Sequence, residues 1–261
     1  MGYLYNFRME YSIETEGLTR EFEGIRAVDT LSLRVEKGSF FGFLGPNGAG
    51  KSTTIKILTG ILAPTTGAAR ILGHDSRKHA LAIKRRIGVV PEDLGLFENL
   101  NAREYLTFIG RMHGLPKAVI LDRTEELLHL MDLETASMLT LEYSHGMRKK
   151  IALAAALIHD PELLFLDEPF EGIDAIAART LRQVLEQFVS RGRTIFLTSH
   201  ILDIVARLCT HVGIIQKGRL VCQGTLSEIA GEGTLEDAFI AATGHARETQ
   251  AGLSWLERPG C

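Results

Sequence analysis

The segment that most restricts the fold is Phe40–Ser52, where the apolar run FFGFL passes directly into GPNGAGKS. A run that is apolar at every position is what a central strand buried on both faces requires. The loop satisfies G-x-x-x-x-G-K-[ST], and Ser52–Gly60 reads as a helix ending at a glycine with Pro64 beyond. Glycines let backbone N–H groups converge on phosphate oxygens, and the helix N-terminus adds partial positive charge. Lys51 is placed to reach β- and γ-phosphates, and the Ser52 hydroxyl to ligate Mg²⁺. The cradle comprises Gly45, Pro46, Asn47, Gly48, Ala49, Gly50, Lys51, Ser52 and Thr53. The plain alternative is a glycine-rich turn with a solvated lysine. The strand–loop–helix setting argues against it, since such a pattern arises by chance about once in a hundred sequences of this kind.

The flanking chain repeats the strand–helix theme. Leu31–Val35 (LSLRV) alternates apolar and polar residues as a half-exposed strand does, and Ile87–Val90 is apolar up to Pro91. Between Asn101 and about Ser137 the texture is helical: Ala102, Tyr105, Leu106, Ile109 and Met112 recur at helical spacing, with breaks at Gly114 and Pro116. A further helix is expected over Ile120–Met131. Strands are then expected at Leu163–Leu166, Thr194–Thr198 and Val212–Ile215, and helices at Ile176–Val189 and Ile201–Leu208. Such alternation predicts a largely parallel sheet covered by helices, with a helical block inserted between two of its strands. Thr225–Cys261 reads as one or two short helices and a loose tail.

Bulk properties narrow the function classes. With 261 residues, 45% hydrophobic, the chain can bury a large core, and its net charge of −3 lacks the basic footprint of a nucleic-acid binder. Cys209, Cys222 and Cys261 form no CxxC pair, which predicts neither a zinc site nor a disulfide framework and fits a reducing cytosol. The first twelve residues lack a basic start followed by a long apolar stretch, so no signal peptide is expected. The longest apolar run of the helical part, Ile151–Ile158, is far shorter than the ~20 residues that cross a bilayer.

A phosphate cradle needs a metal-holding partner, and Leu163–Leu166 runs into Asp167-Glu168-Pro169. Asp167 at the strand end is placed to hold Mg²⁺ through water, and Glu168, pointing the other way along the pleat, to polarise an attacking water. Two acids after a strand are by themselves more often a solvated turn. A phosphate loop upstream tips the balance towards chemistry.

Several ordered motifs now resemble the ATP-binding-cassette (ABC) transporter family, as its nucleotide-binding subunit, from about Leu18 to Gly244. Phe22 matches the aromatic that stacks on adenine, and Pro91-Glu92 the loop that senses the γ-phosphate and Mg²⁺. Tyr143-Ser144-His145-Gly146-Met147 takes the place of the LSGGQ signature, Gly172-Ile173-Asp174 that of the D-loop, and His200 that of the switch histidine. Each has a plainer reading in isolation: Phe22 as a core aromatic, His200 as a capped or buried histidine, Ser144 as an N-cap, and Arg148-Lys149-Lys150 as a solvated helix face. The remaining histidines lack metal-ligand spacing.

The resemblance implies an α/β P-loop NTPase with a RecA-like, mostly parallel sheet core, an N-terminal antiparallel β subdomain and an inserted α-helical subdomain. It implies a nucleotide-binding domain over 1–244, the helical insertion at about 94–160, and a tail at 245–261. It further implies ATP and Mg²⁺ as cofactors, Glu168 and His200 as catalytic residues, and Ser52, Glu92 and Asp167 around the metal. Ser144, His145, Gly146 and Met147 would cap ATP held by a second copy, with Asp174 beside them. Partners would be a second nucleotide-binding subunit, with a homodimer expected, and a separately encoded membrane permease, but no nucleic acid. The chain would then be cytoplasmic, on the inner face of the membrane. Leu96, Phe97 and Leu100 are candidate permease contacts or local core.

Three departures mark a branch: YSHGM for the signature, Glu92 where glutamine is usual, and Phe170-Glu171-Gly172 after the acid. Together with Leu235–Phe239 (LEDAF), they resemble drug-resistance and other exporter ATPases. Glu92 adds like charge near the phosphates unless it binds metal or is protonated, so slow turnover is expected without the permease. A soluble ABC ATPase of translation or DNA repair is the alternative, but such proteins usually carry two cassettes, coiled coils or basic extensions. A nucleotide-gated interaction protein with little hydrolysis is disfavoured by the complete set Asp167, Glu168 and His200.

Overall fold

A computed structural model describes residues 11–133 and 138–244. The expected tail at 245–261 and the end of the first helical block near Ser137 lie outside the described residues. The chain begins with strands β1 (Tyr11–Phe22), β2 (Ile25–Leu31), β3 (Arg34–Glu36) and β4 (Phe40–Leu44), then helix α1 (Lys51–Leu58). Next come β5 (Thr66–Ile71), β6 (His74–Asp75), α2 (Ala80–Lys84) and β7 (Ile87–Val90). The helical block holds α3 (Ala102–Met112), α4 (Lys117–Leu130) and α5 (His145–Leu157). It is followed by β8 (Leu163–Asp167), α6 (Ala175–Ser190), β9 (Thr194–Ser199) and α7 (Leu202–Leu208). The described chain closes with β10 (His211–Gln216), β11 (Arg219–Thr225), α8 (Leu226–Ala230) and α9 (Leu235–Thr243).

The central sheet has the order β11-β10-β4-β9-β8-β7 and is parallel except where β11 folds back on β10. Strands β4, β8 and β9 are buried at every position, which explains the apolar runs FFGFL, LLFL and IFL that they carry. Alternate residues supply two cores. Phe40, Leu44, Leu164, Leu166, Ile195 and Leu197 face the layer that includes α5, α6 and α7. Phe41, Phe43, Leu163, Phe165 and Phe196 face α1 and the second, antiparallel sheet β2-β1-β5-β6, to which β3 joins through β1. Helix α5 lies so close to β7 that a Cβ on Gly88 would stand 2.3 Å from the Ala156 carbonyl oxygen.

The α/β fold with an antiparallel sheet ahead of a mostly parallel one is as expected, but details differ. LSLRV is not one strand: β2 ends at Leu31, and β3 starts at Arg34. Leu31, Leu33 and Val35 are all buried, so the alternation holds while the ladder breaks. The Thr15 hydroxyl causes this, accepting from the Leu33 N–H at 2.8 Å and donating to the Leu31 carbonyl at 2.9 Å. Strand β11 was not anticipated, although Lys217-Gly218, both at positive φ, form the tight turn that a hairpin demands. No helix covers Leu94–Leu100. Leu96 is buried in the core, whereas Phe97 is exposed and meets Phe108 edge-on at 5.0 Å. The basic trio is corrected as well: Lys149 and Lys150 are only 2% and 7% exposed, because α5 is enclosed by its neighbours.

His159, just past α5, stacks on His113 with ring centroids 3.7 Å apart and donates from Nε2 to the Ile87 carbonyl. Burial, and then the neighbouring His113, push its pKa down from 6.5 to about 4. In the unfolded chain His159 takes its proton near 6.5, so the folded state binds fewer protons between these values. Its contribution is complete above pH 6.5 and is lost as the pH falls towards 4. The expected loss is on the order of 2 kcal/mol after solvent screening. Thermal unfolding between pH 7 and 4 checks this, with His159→Gln flattening the decline.

Candidate functional site

The C-terminal ends of β4 and β8 and the start of α1 frame a cleft of about 510 Å³. Phe22, Asn47–Thr53, Glu92, Glu168 and His200 all line it, so residues far apart in the chain meet on one cleft. The loop after β4 turns sharply into α1 at Gly50, whose φ is 108° and whose added Cβ would meet the Ala27 carbonyl at 2.4 Å. Only glycine fits that combination of backbone and space. The first turn of α1 carries N–H groups that the helix does not use, directed at the cleft end.

Lys51 is 7% exposed and donates from Nζ to the Gly45 carbonyl at 2.7 Å, with Pro46 O at 3.4 Å. The first two loop residues therefore act as carbonyl props for the lysine. Its ammonium also lies 3.7 Å from Glu168 Oε1. The Ser52 hydroxyl donates to Glu92 Oε2 at 3.3 Å.

Glu168 follows directly on β8 and is 6% exposed, with a left-handed φ of 48°. Its N–H reaches Thr198 O, and its Oε2 lies 3.0 Å from His200 Nδ1 and accepts from the His200 backbone N–H at 3.3 Å. Asp167 does not line the cleft; it is 3% exposed at the end of β8 and accepts a hydrogen bond from the Thr198 hydroxyl. Ser52, Glu92 and Asp167 offer hard oxygen donors, and Ser52 and Glu92 already converge; that chemistry fits Mg²⁺. Phe22 is 41% exposed, not a core aromatic, and Arg20 places its guanidinium 4.4 Å from the ring centroid.

The signature residues do not line this cleft. Ser144 caps α5, its hydroxyl accepting from the Met147 N–H at 3.3 Å. His145 Nε2 lies 3.2 Å from the Glu171 carbonyl oxygen. Asp174 caps α6 by accepting from Ile176 and Ala177 N–H groups, which hold its carboxyl below the usual range, Ala177 most of all. Sequence reasoning missed Glu171, which lines the cleft, and Lys149, whose Nζ donates to the Glu168 carbonyl. Glu171 had a faint signal in its place three residues after the acid; Lys149 had none beyond its helical register.

Residues 28–171 match the family described as ABC transporter. The chain belongs to the ABC transporter family. It is 39% identical over 219 residues to the daunorubicin/doxorubicin resistance ATP-binding protein DrrA of Streptomyces peucetius, covering 84% of this chain and 66% of that protein. It is 40% identical over 214 residues to the bacitracin transport ATP-binding protein BcrA of Bacillus licheniformis, covering 82% and 69% respectively. The chain thus spans about two thirds of the length of these relatives. A solved ATP-binding subunit of an ABC transporter superposes with a TM-score of 0.83 at 29% identity, over 88% of this chain and 98% of that one. A dimeric cassette bound to ADP and phosphate shares the fold, with a TM-score of 0.76 at 21% identity over 82% of this chain and 98% of that one.

This ABC protein is an ATP-binding, ATP-hydrolysing subunit homologous to ATP-binding proteins of drug-resistance and exporter systems, and the relatives do not favour a translation or repair ATPase. Among the described residues, no helix is long and apolar enough to cross a membrane.

Proposed function

We propose that this chain powers export through a separately encoded membrane permease, working as one half of an ATP-closed dimer on the cytoplasmic face. The observation that carries the reading is the convergence of the α1 N-terminus, Lys51, Glu168 and His200 on one cleft. The Asn47–Thr53 backbone binds the phosphates, and Lys51 swings from the Gly45 carbonyl towards the β- and γ-oxygens. Phe22 stacks on the adenine while Arg20 engages its ring. Ser52 and Glu92, with Asp167 through water, would hold Mg²⁺, which when bound neutralises developing phosphate charge. Glu168 accepts a proton from the attacking water, and His200 orients the carboxylate through Oε2.

Ser144, His145, Gly146 and Met147 lie outside their own chain's cleft, which supports their capping ATP on a second copy. The α5 N-terminus supplies the positive end of a helix for that purpose. Asp174, beside Gly146, belongs to the same surface. Closure, hydrolysis and reopening would then move the permease.

Sedimentation tests the dimer. The Glu168→Gln chain is expected to sediment as a monomer alone and as a dimer with saturating ATP. A monomer under both conditions overturns the reading.

A further inference from the structure

We infer that Lys149 is a positioning residue that ties the carbonyl of Glu168 to the signature helix. The inference rests on the reading of Glu168 as the proton acceptor, and it concerns how that group is held.

Lys149 lies on α5, five residues beyond the cap Ser144, and is 2% exposed. Burying an ammonium is costly unless its protons find acceptors. Here Nζ donates to the Glu168 carbonyl at 2.8 Å. Burial lowers its pKa, and the negative charges of Glu171, Asp167, Glu168 and Glu92 oppose that loss of charge.

The anchored residue is unusual. Glu168 takes a φ of 48°, a backbone region that a side chain with a Cβ seldom occupies and that persists only when its surroundings impose it. Four bonds do so: its N–H is shared between Thr198 O and the Thr198 hydroxyl oxygen, while its carbonyl accepts from the Glu171 N–H at 3.2 Å and from Lys149. Without the lysine, that carbonyl keeps, among the described residues, one bond inside a short turn. The carboxylate that meets His200 and Lys51 is set by this backbone twist.

One further hydrogen bond joins the same elements: His145 Nε2 meets the Glu171 carbonyl at 3.2 Å. Gly146 also passes so near Asp174 that an added Cβ would stand 3.3 Å from its Oδ2. The first turns of α5 and the loop from Glu168 to Asp174 therefore form one joint. In the proposed dimer, the helix that caps the partner's ATP also sets the base serving its own ATP. Nucleotide in one site thereby bears on hydrolysis in the other.

The test compares Lys149→Met, which keeps length and apolar fit but loses the donor, with Lys149→Arg, which keeps a donor. Lys149→Met is expected to lower kcat on the order of 10- to 100-fold, with the KM for ATP and the Tm nearly unchanged. Lys149→Arg is expected to restore most of the rate. Deuterium uptake over 168–172 should rise in Lys149→Met and, to a smaller degree, in His145→Ala, while uptake over 163–166 stays constant. Unaltered kcat and uptake in Lys149→Met would overturn the inference. So would a loss of kcat matched by equal losses of ATP affinity and Tm that arginine does not rescue. Glu168→Gln, measured alongside, separates the two claims: wild-type turnover in that variant removes the base role, whereas uptake still reports on the lysine.

Discussion

Replacing Glu168 with glutamine is expected to lower ATP turnover by about 10²- to 10⁴-fold, the usual share of a positioned general base, while ATP binding is retained. The substitution preserves shape, so the 3.0 Å approach to His200 Nδ1 and the backbone bonds to Thr198 and Lys149 can all persist. What disappears is an oxygen basic enough to take a proton. The negative charge 3.7 Å from Lys51 disappears too, which frees the ammonium for phosphate and favours tighter ATP binding. A kcat that falls while the KM for ATP holds or drops is therefore expected in steady-state assays. Turnover within a few-fold of the native chain would assign the base elsewhere.

The second large effect is on stability. Phe196→Ala is expected to cost about 3–5 kcal/mol, which for a chain of this size lowers Tm on the order of 10 °C. Phe196 is fully buried in β9, between β4 and β8. Its ring stacks on Phe41 at 5.7 Å and meets Phe43 at 5.3 Å and Phe165 at 5.7 Å. Truncation leaves a void that none of these rings fills without leaving its own rotamer. β9 also carries Thr198, which holds both Asp167 and Glu168, so hydrolysis should weaken below the new melting point before secondary structure is lost. Calorimetry and activity against temperature check the two parts.

Much of the fold was legible because the central strands are buried on both faces. The apolar cores of FFGFL, LLFLD and TIFLTS mark them as buried strands, and their burial in the structure is complete, with the polar residues Asp167, Thr194, Thr198 and Ser199 confined to the strand ends. The antiparallel sheet was harder to read. β1 is polar at many positions and bonds on both edges, so its length rests on partners more than on its own pattern. LSLRV showed the right buried face but hid the break that a distant threonine hydroxyl creates.

The cradle Gly45–Ser52 was determined by sequence alone, because a backbone that turns at left-handed φ against a neighbouring carbonyl excludes every residue but glycine at Gly50. The Asp167-Glu168 pair and the helix cap at Ser144 were likewise marked by local chemistry, whereas His200 was marked only by its place in the family resemblance. The tertiary structure decided how the environment sorts residues of one type. Of three consecutive basic residues, Lys149 is drawn inward to a strained carbonyl; of three apolar ones after Glu92, Leu96 joins the core while Phe97 stays at the surface. Charge and hydropathy belong to the residue, but burial and partnership belong to the elements packed around it, and those are brought together only when the chain closes.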